Sequence, residues 1–142
     1  MKSLLGKLGV ILIVLMILGY TEVWGADWRL ISSTDSYKCF YDAENITRSS
    51  KNIVGVWARL EYTEKGISGI VKEFGKHYED LSYSLELWEI DCVKKKQRIL
   101  SITEYSVEGS ILYTNPAKSR PSAWKPISRE AVAESLYNAV GN

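Results

Sequence analysis

Two cysteines, Cys39 and Cys92, carry the most versatile chemistry in this sequence. A thiol can be a nucleophile, a metal ligand or one half of a disulfide, and the compartment of the protein decides among these roles. A nucleophilic cysteine needs a neighbouring base, but the single histidine, His77, lies in a separate charged segment. A metal role is disfavoured because the chain has no second histidine. The residues leave open a structural disulfide or two separate buried thiols.

Charged side chains flank Cys92 on both sides. Three carboxylates precede it and three lysines follow it, namely Glu86, Glu89 and Asp91, then Lys94, Lys95 and Lys96. Paired carboxylates can perform acid–base catalysis, but on a strand they usually form a solvated face. The lysines could bind an anionic partner or form the soluble tip of a hairpin. We take them, together with Trp57, as candidate partner-binding residues.

Recognisable catalytic motifs are missing from the sequence. It contains no glycine-rich phosphate loop, no His–carboxylate metal spacing and no serine in a nucleophile-elbow pattern. We therefore predict a non-enzymatic protein that uses no cofactor and no metal.

The N-terminus predicts export. Lys2 and Lys7 precede the apolar block "LGVILIVLMIL", which is too short to span a bilayer comfortably but suits a signal-peptide core. Val23 and Gly25 satisfy the small-residue positions of a cleavage site before Ala26. The alternative is a retained N-terminal anchor. We predict a signal peptide over residues 1–25, a mature domain over 26–142 and no integral membrane span after cleavage.

The mature chain is predicted to be electrically neutral. Removal of residues 1–25 lowers the 18 basic and 17 acidic residues of the sequence to 16 each. A net charge of zero does not favour nucleic acid as a partner, nor bulk attraction to a membrane. In an oxidising compartment an even number of cysteines favours a Cys39–Cys92 disulfide.

Alternating apolar residues predict about six strands. The clearest is 52–63, where Val54, Val56, Ala58 and Leu60 share one face and Trp57 lies on the other. The segments 83–93 and 97–107 flank the three lysines and predict a hairpin with those lysines at its tip. The remaining predicted strands are 28–32, 37–41 and 110–114.

Two segments change to a helical period. Residues 64–81 have apolar residues at helical spacing, but Gly69 and Gly75 predict a short helix that ends near Gly75. The C-terminal stripe of Val132, Leu136 and Val140 predicts a second helix, with Ser128 as its N-cap and Gly141 at its end. The sequence thus predicts an α+β domain in which the C-terminal helix packs on an antiparallel sheet.

The order of several segments resembles the surface-adhesin protein E family. These segments are "WRLIS", "CFYDAENI", "NIVGVWARLEY", "ELWEIDCVKKKQRILSITEYS" and "ESLYNAV", and the most specific part is "EIDC" followed by a basic turn and "RILS". The resemblance implies an exported bacterial domain with a largely antiparallel sheet and a C-terminal helix. It also implies adhesion, since the family's namesake binds host matrix proteins.

One departure from this resemblance concerns the cysteines. Family members typically have a cysteine at the very C-terminus that ties the terminal helix to the "EIDC" strand, whereas here the sequence ends in Val140, Gly141 and Asn142. Either Cys39 and Cys92 form the disulfide instead, or the two thiols are unpaired.

These observations predict an exported, adhesin-like binding module in the periplasm or on the cell surface. Its partner would be an extracytoplasmic protein, with host or matrix proteins as candidates. The alternative function is a periplasmic structural or accessory protein that contacts another envelope protein.

Overall fold

The computed structural model describes residues 26–49, 51–115, 122–129 and 131–141. Eight strands are described: β1 (Trp28–Ser33), β2 (Tyr37–Asp42), β3 (Thr47–Arg48), β4 (Ile53–Tyr62), β5 (Leu81–Asp91), β6 (Lys96–Ser106), β7 (Ile111–Asn115) and β8 (Lys125–Pro126). Two α-helices, α1 (Glu64–Phe74) and α2 (Val132–Val140), complete the order, and a single 3-10 turn (Lys76–Tyr78) follows α1. The predicted signal peptide lies outside the described residues.

The strands form one antiparallel sheet in the order β1-β2-β4-β5-β6-β7. The short strands β3 and β8 pair with β4 and β6 respectively. These are additions to the predicted set of six strands, and two-residue strands leave no alternation in the sequence by which to find them. The predicted hairpin is confirmed, with Asp91 paired to Lys96 on either side of the turn.

The core lies between one face of this sheet and α2. Val54, Val56, Ala58 and Leu60 of β4 are buried, as the alternation predicted. The apolar stripe of α2 covers them with Ala133, Leu136 and Val140, which are likewise buried. Burying this stripe stabilises the helix far more than its own propensity can, because a nine-residue helix is marginal in water. The predicted α+β architecture is confirmed.

Helix α1 begins where β4 ends. The Thr63 side chain caps it by accepting a hydrogen bond of 3.1 Å from the Gly66 amide. Gly66 is buried against the β1–β2 turn, and a Cβ atom there would overlap the carbonyl oxygen of Ser36. The helix ends at Phe74, before Gly75 with its φ of 116°, as predicted.

The structure corrects the predicted N-cap of α2. The capping residue is Ala131, which makes no side-chain hydrogen bond to the helix, and Ser128 lies three residues before it. Ser128 matched the preference for a hydroxyl at the N-cap, but the helix begins only at Val132. The predicted end of the helix at Gly141 is confirmed by a hydrogen bond of 2.7 Å from its amide to the Tyr137 carbonyl.

The structure also corrects the predicted disulfide, because Cys39 and Cys92 are both free thiols. Cys39 pairs with Leu60, near one end of β4, whereas the Cys92 amide bonds to the Asn52 carbonyl beyond its other end. The separation of eight positions between Asn52 and Leu60 corresponds to about 26 Å of strand. A disulfide requires Cα atoms within about 7 Å, so the register of the sheet prevents this bond.

Candidate functional site

The face of the sheet opposite α2 is the most extended candidate binding surface. Residues of β4 and β5 pair here across the strands, with Trp57 opposite Leu87 and Arg59 opposite Leu85. All four are only partly buried. We call this surface the open face and define it by Trp57, Arg59, Tyr83, Leu85, Leu87, Arg98 and Tyr105. Since α2 packs on the other side of the sheet, it does not cover Trp57.

A row of stacked side chains crosses one end of the open face. The guanidinium of Arg59 lies 4.2 Å from the ring centroid of Tyr83, and the Tyr83 ring stacks on Tyr105 with centroids 4.8 Å apart. Nε of Arg59 also lies 3.4 Å from Glu61. Cation–π contact and stacking hold these side chains in defined positions. Side chains ordered in advance lose less conformational entropy when a partner binds.

Arg98 organises the other end of the open face. Its Nε lies 2.7 Å from a carboxylate oxygen of Glu89, and its guanidinium lies 4.3 Å from the ring centroid of Trp124. The segment that carries Trp124 is attached to β6, because the Ser122 hydroxyl accepts from the Ile99 amide and donates to the Ile99 carbonyl. This edge segment therefore adds a second tryptophan beside the open face, which the sequence analysis did not identify.

The structure separates the predicted site residues into two groups. Trp57 lies on the open face, as the alternation of β4 indicated. The three lysines lie at the β5–β6 turn, where Lys94, Lys95 and Lys96 are all exposed. Because this turn is at the end of the sheet, Trp57 and the lysines form two distinct surfaces. Whether either surface binds a partner stays a prediction.

A buried acidic side chain, Glu86, lies on the core face. It is only 8% exposed, and its oxygens accept hydrogen bonds from Ser84 Oγ (3.3 Å) and Trp88 Nε1 (2.9 Å). The Tyr62 hydroxyl continues this network to Ser84 at 3.1 Å. Burial raises the pKa of the Glu86 carboxyl, although the Trp88 and Ser84 hydrogen bonds oppose that shift. The sequence already indicated that Glu86 faces the core. It lies two and four residues before Trp88 and Ile90, and residues at such spacing share one face of a strand.

A second acid with a raised pKa, Glu104, lies towards the same end of the core face. Burial is the main cause, and the hydrogen bond from Tyr78 and the charge of His77 oppose it. Its Oε2 atom is buried without a hydrogen-bond partner among the described residues. The pairing of Ser84 with Glu104 places it on the same face as Glu86. The charge of Glu104 adds to the effect of burial in raising the pKa of Glu86.

Neither thiol has the surroundings of a nucleophile. Cys39 is fully buried, and burial together with the charge of Glu86 raises its pKa to about 12. Cys92 is half-buried, and burial raises its pKa as well, although the nearby Arg48 charge opposes the shift. A cavity of about 170 Å³ beside Cys92 is lined in part by Arg48 and Gly141.

The histidine and the acidic side chains do not combine into a metal centre in the described part of the chain. Within those residues, no group of three or more His, Cys, Asp and Glu side chains could hold a metal ion. His77 is exposed and packs against the Tyr78 ring at 4.2 Å, as expected for a surface side chain. Neither described helix has both the length and the apolar character needed to cross a bilayer.

Comparison with known proteins finds one family. The family model described as Surface-adhesin protein E matches residues 28–140, a range that contains all eight described strands and both helices. Searches of curated proteins and of solved structures find no match.

Proposed function

Because the chain belongs to the surface-adhesin protein E family, as its resemblance predicted, we propose that it is an exported, non-enzymatic module that binds another protein through its open face. Family membership implies an exported or surface location and a binding role. The signal peptide proposed over residues 1–25 would direct the chain out of the cytoplasm and be cleaved before Ala26.

The composition of the open face is the observation that carries this proposal. Trp, Tyr and Arg are the side chains most enriched among residues that dominate the energy of protein interfaces. Here Trp57, Tyr83 and Arg59 occur together on adjacent strands of a rigid sheet. Leu85 and Leu87 supply the apolar area between them, and the paired charges at both ends resemble the polar rim of an interface. The partner is an extracytoplasmic protein, with host or matrix proteins as candidates.

Interface variants with a matched control test the proposal. We expect Trp57→Ser to weaken capture of the partner at least tenfold, because truncating an anchor residue typically costs 2 kcal/mol or more. The control is Phe74→Ser, which removes an aromatic side chain that is 60% exposed on α1. Binding should be measured with purified variants against matrix proteins and envelope extracts, with the folded state checked by circular dichroism. Equal binding by wild type and Trp57→Ser would contradict a role for the open face.

Protease shaving of intact cells separates the two locations. A surface adhesin is cleaved in intact cells, whereas a periplasmic accessory protein is cleaved only after the outer membrane is permeabilised. Cleavage in intact cells supports adhesion. Protection there, combined with partner capture that depends on Trp57, would instead favour the periplasmic accessory role.

A further inference from the structure

Basic side chains from three separate segments meet at one end of the sheet. They belong to the β3–β4 connection, the β5–β6 turn and the edge strand β8. We call this region the basic end and define it by Arg48, Lys51, Lys94, Lys95, Lys96 and Lys125, all of which are exposed.

Backbone hydrogen bonds and strand register bring these segments together. The Cys92 amide donates to the Asn52 carbonyl at 3.1 Å, which joins the β5–β6 turn to the turn that carries Lys51. On the other side, Lys125 pairs with Gln97, and the Ile127 amide donates to the Lys95 carbonyl at 3.2 Å. The cluster is therefore a property of the fold, since Lys51 and Lys125 are far apart in the sequence.

The positive charge of the basic end is barely compensated locally. Asp91 lies opposite Lys96 beside the hairpin turn, and its carboxylate accepts hydrogen bonds from the amides of Val93 and Lys94. Glu89, farther along β5, is engaged with Arg98. Within the described residues, no ion pair closer than 4.0 Å involves any of the six cations. Arg48 donates a hydrogen bond of 3.1 Å to the Val140 carbonyl at the end of α2, but none of the six charges is neutralised by an ion pair in the described part of the chain. Such a concentration of positive charge suits an anionic ligand.

Acidic side chains lie at the far end of the molecule, together with some basic ones. The turns there contain Asp35, Glu79, Asp80 and Glu108, although Lys76 lies among them and Lys65 forms an ion pair with Asp35 at 3.0 Å. The 11-residue strands β5 and β6 separate the two ends by about 35 Å. Charges separated by several Debye lengths, about 8 Å each at physiological salt, are screened from each other in solution. Although the predicted mature chain has a net charge near zero, its basic end can therefore attract anions locally.

The exposed apolar side chain at the tip of the hairpin indicates which class of anionic ligand suits the basic end. Val93 is 69% exposed at the outermost turn and is followed directly by the three lysines. An exposed apolar side chain gains little from a soluble, fully hydrated polyanion. At a bilayer surface it can enter the interface while adjacent lysines contact lipid phosphates.

We propose that the basic end docks on the anionic phospholipid surface of a membrane, with Val93 entering the interface. This contact is separate from the proposed protein-binding role, because it uses the end of the sheet and leaves the open face accessible at the side.

Vesicle co-sedimentation of the exported protein tests this inference. We expect it to bind phosphatidylcholine vesicles that contain phosphatidylglycerol, and to bind pure phosphatidylcholine vesicles far more weakly. The triple variant Lys51→Gln, Lys94→Gln, Lys96→Gln should lower the affinity on the order of a hundredfold, since each lysine near an anionic surface contributes roughly a fivefold factor. It spares Lys95, whose φ of 52° lies in the left-handed region. Val93→Ser should weaken binding severalfold without changing the charge.

A second triple variant supplies the matched control. Lys65→Gln, Lys72→Gln, Lys76→Gln removes the same charge from exposed positions on α1 and the turn after it, and it should bind as wild type does. Equal losses in both variants would overturn the inference, because net charge alone would then explain binding. Equal affinity for neutral and anionic vesicles would also overturn it, as would binding to heparin without binding to anionic vesicles. Trp57→Ser should leave vesicle binding unchanged, which separates this test from that of the open face.

Discussion

At the residue scale, Cys39 and Cys92 have different surroundings although both are free thiols. Cys39 is fully buried beneath α2 and its pKa is raised to about 12, whereas Cys92 is half-buried at the end of β5. A shift of that size from the usual thiol pKa lowers the reactive thiolate fraction of Cys39 about a thousandfold.

We therefore expect one alkylation in the folded protein and two after unfolding. Iodoacetamide should modify Cys92 first, and Cys39 should react only when denaturant is added, as mass spectrometry of the peptides would show. Protection of both residues until a reductant is added would reveal a disulfide and contradict the register described above.

The ionisation of Glu86 opposes folding. Because burial raises its pKa in the folded state, the unfolded chain releases this proton at lower pH than the folded protein does. The free energy of unfolding therefore falls as the pH rises from the unfolded pKa, near 4, through the folded pKa. At lower pH both states are protonated and this penalty vanishes.

Substitution Glu86→Gln should therefore stabilise the protein in a pH-dependent way. Glutamine can still accept from Trp88 Nε1 and can bond to Ser84, but it has no charge to bury. The gain in free energy of unfolding should be clear at about pH 7 and small at about pH 4, measured by urea unfolding at both values. A gain of the same size at both would mean that packing, rather than ionisation, is responsible.

At the element scale, two glycines of α1 have opposite roles. Gly66 lies against the Ser36 carbonyl, so a side chain there forces the helix away from the β1–β2 turn. Gly69 has open space around its Cβ position, and its main effect is to weaken the helix. Sequence analysis identified the cost of Gly69 but could not identify the contact of Gly66, which depends on a turn about 30 residues earlier.

This difference predicts two alanine substitutions of opposite sign. Gly66→Ala should lower the free energy of unfolding by about 1–3 kcal/mol through the overlap. Gly69→Ala should raise it by about 0.5–1 kcal/mol, since alanine is the better helix former. Both are measured by thermal or urea unfolding. If Gly66→Ala were neutral, helix α1 would have to move freely relative to the sheet.

At the scale of the whole molecule, the fold divides one neutral chain into surfaces with different properties. One sheet face is closed by α2, the other carries aromatic and arginine side chains, and one end of the sheet carries a cluster of basic side chains. The proposed protein-binding role requires that the open face reach an extracytoplasmic partner.

Export is therefore the prediction that belongs to this scale. Expression of the full chain in a bacterial host should yield a periplasmic or surface protein that begins at Ala26, as intact mass and N-terminal sequencing would show. The matched control is Gly25→Arg, which places a large charged residue at the cleavage position and should leave the precursor uncleaved. A cytoplasmic, full-length product from the wild-type chain would contradict the proposed route.

The sequence by itself determined the features that depend on local periodicity. The two-residue alternation of β4 identified the buried face and placed Trp57 opposite it, because successive side chains of a strand point to opposite sides. The helical period of the last residues identified the stripe of α2, and the apolar runs on either side of a short charged connection identified the β5–β6 hairpin. The family resemblance depended on the same ordered segments.

Only the tertiary structure decided which distant segments meet. The separation of Cys39 from Cys92 depends on strand register, and the contact between Gly66 and Ser36 depends on how a turn packs against a helix. The basic end likewise requires the pairing of β8 with β6 to bring Lys125 beside the hairpin lysines. Periodicity reports which face a residue occupies, whereas long-range hydrogen bonds decide its neighbours, and the proposed sites consist of such neighbours.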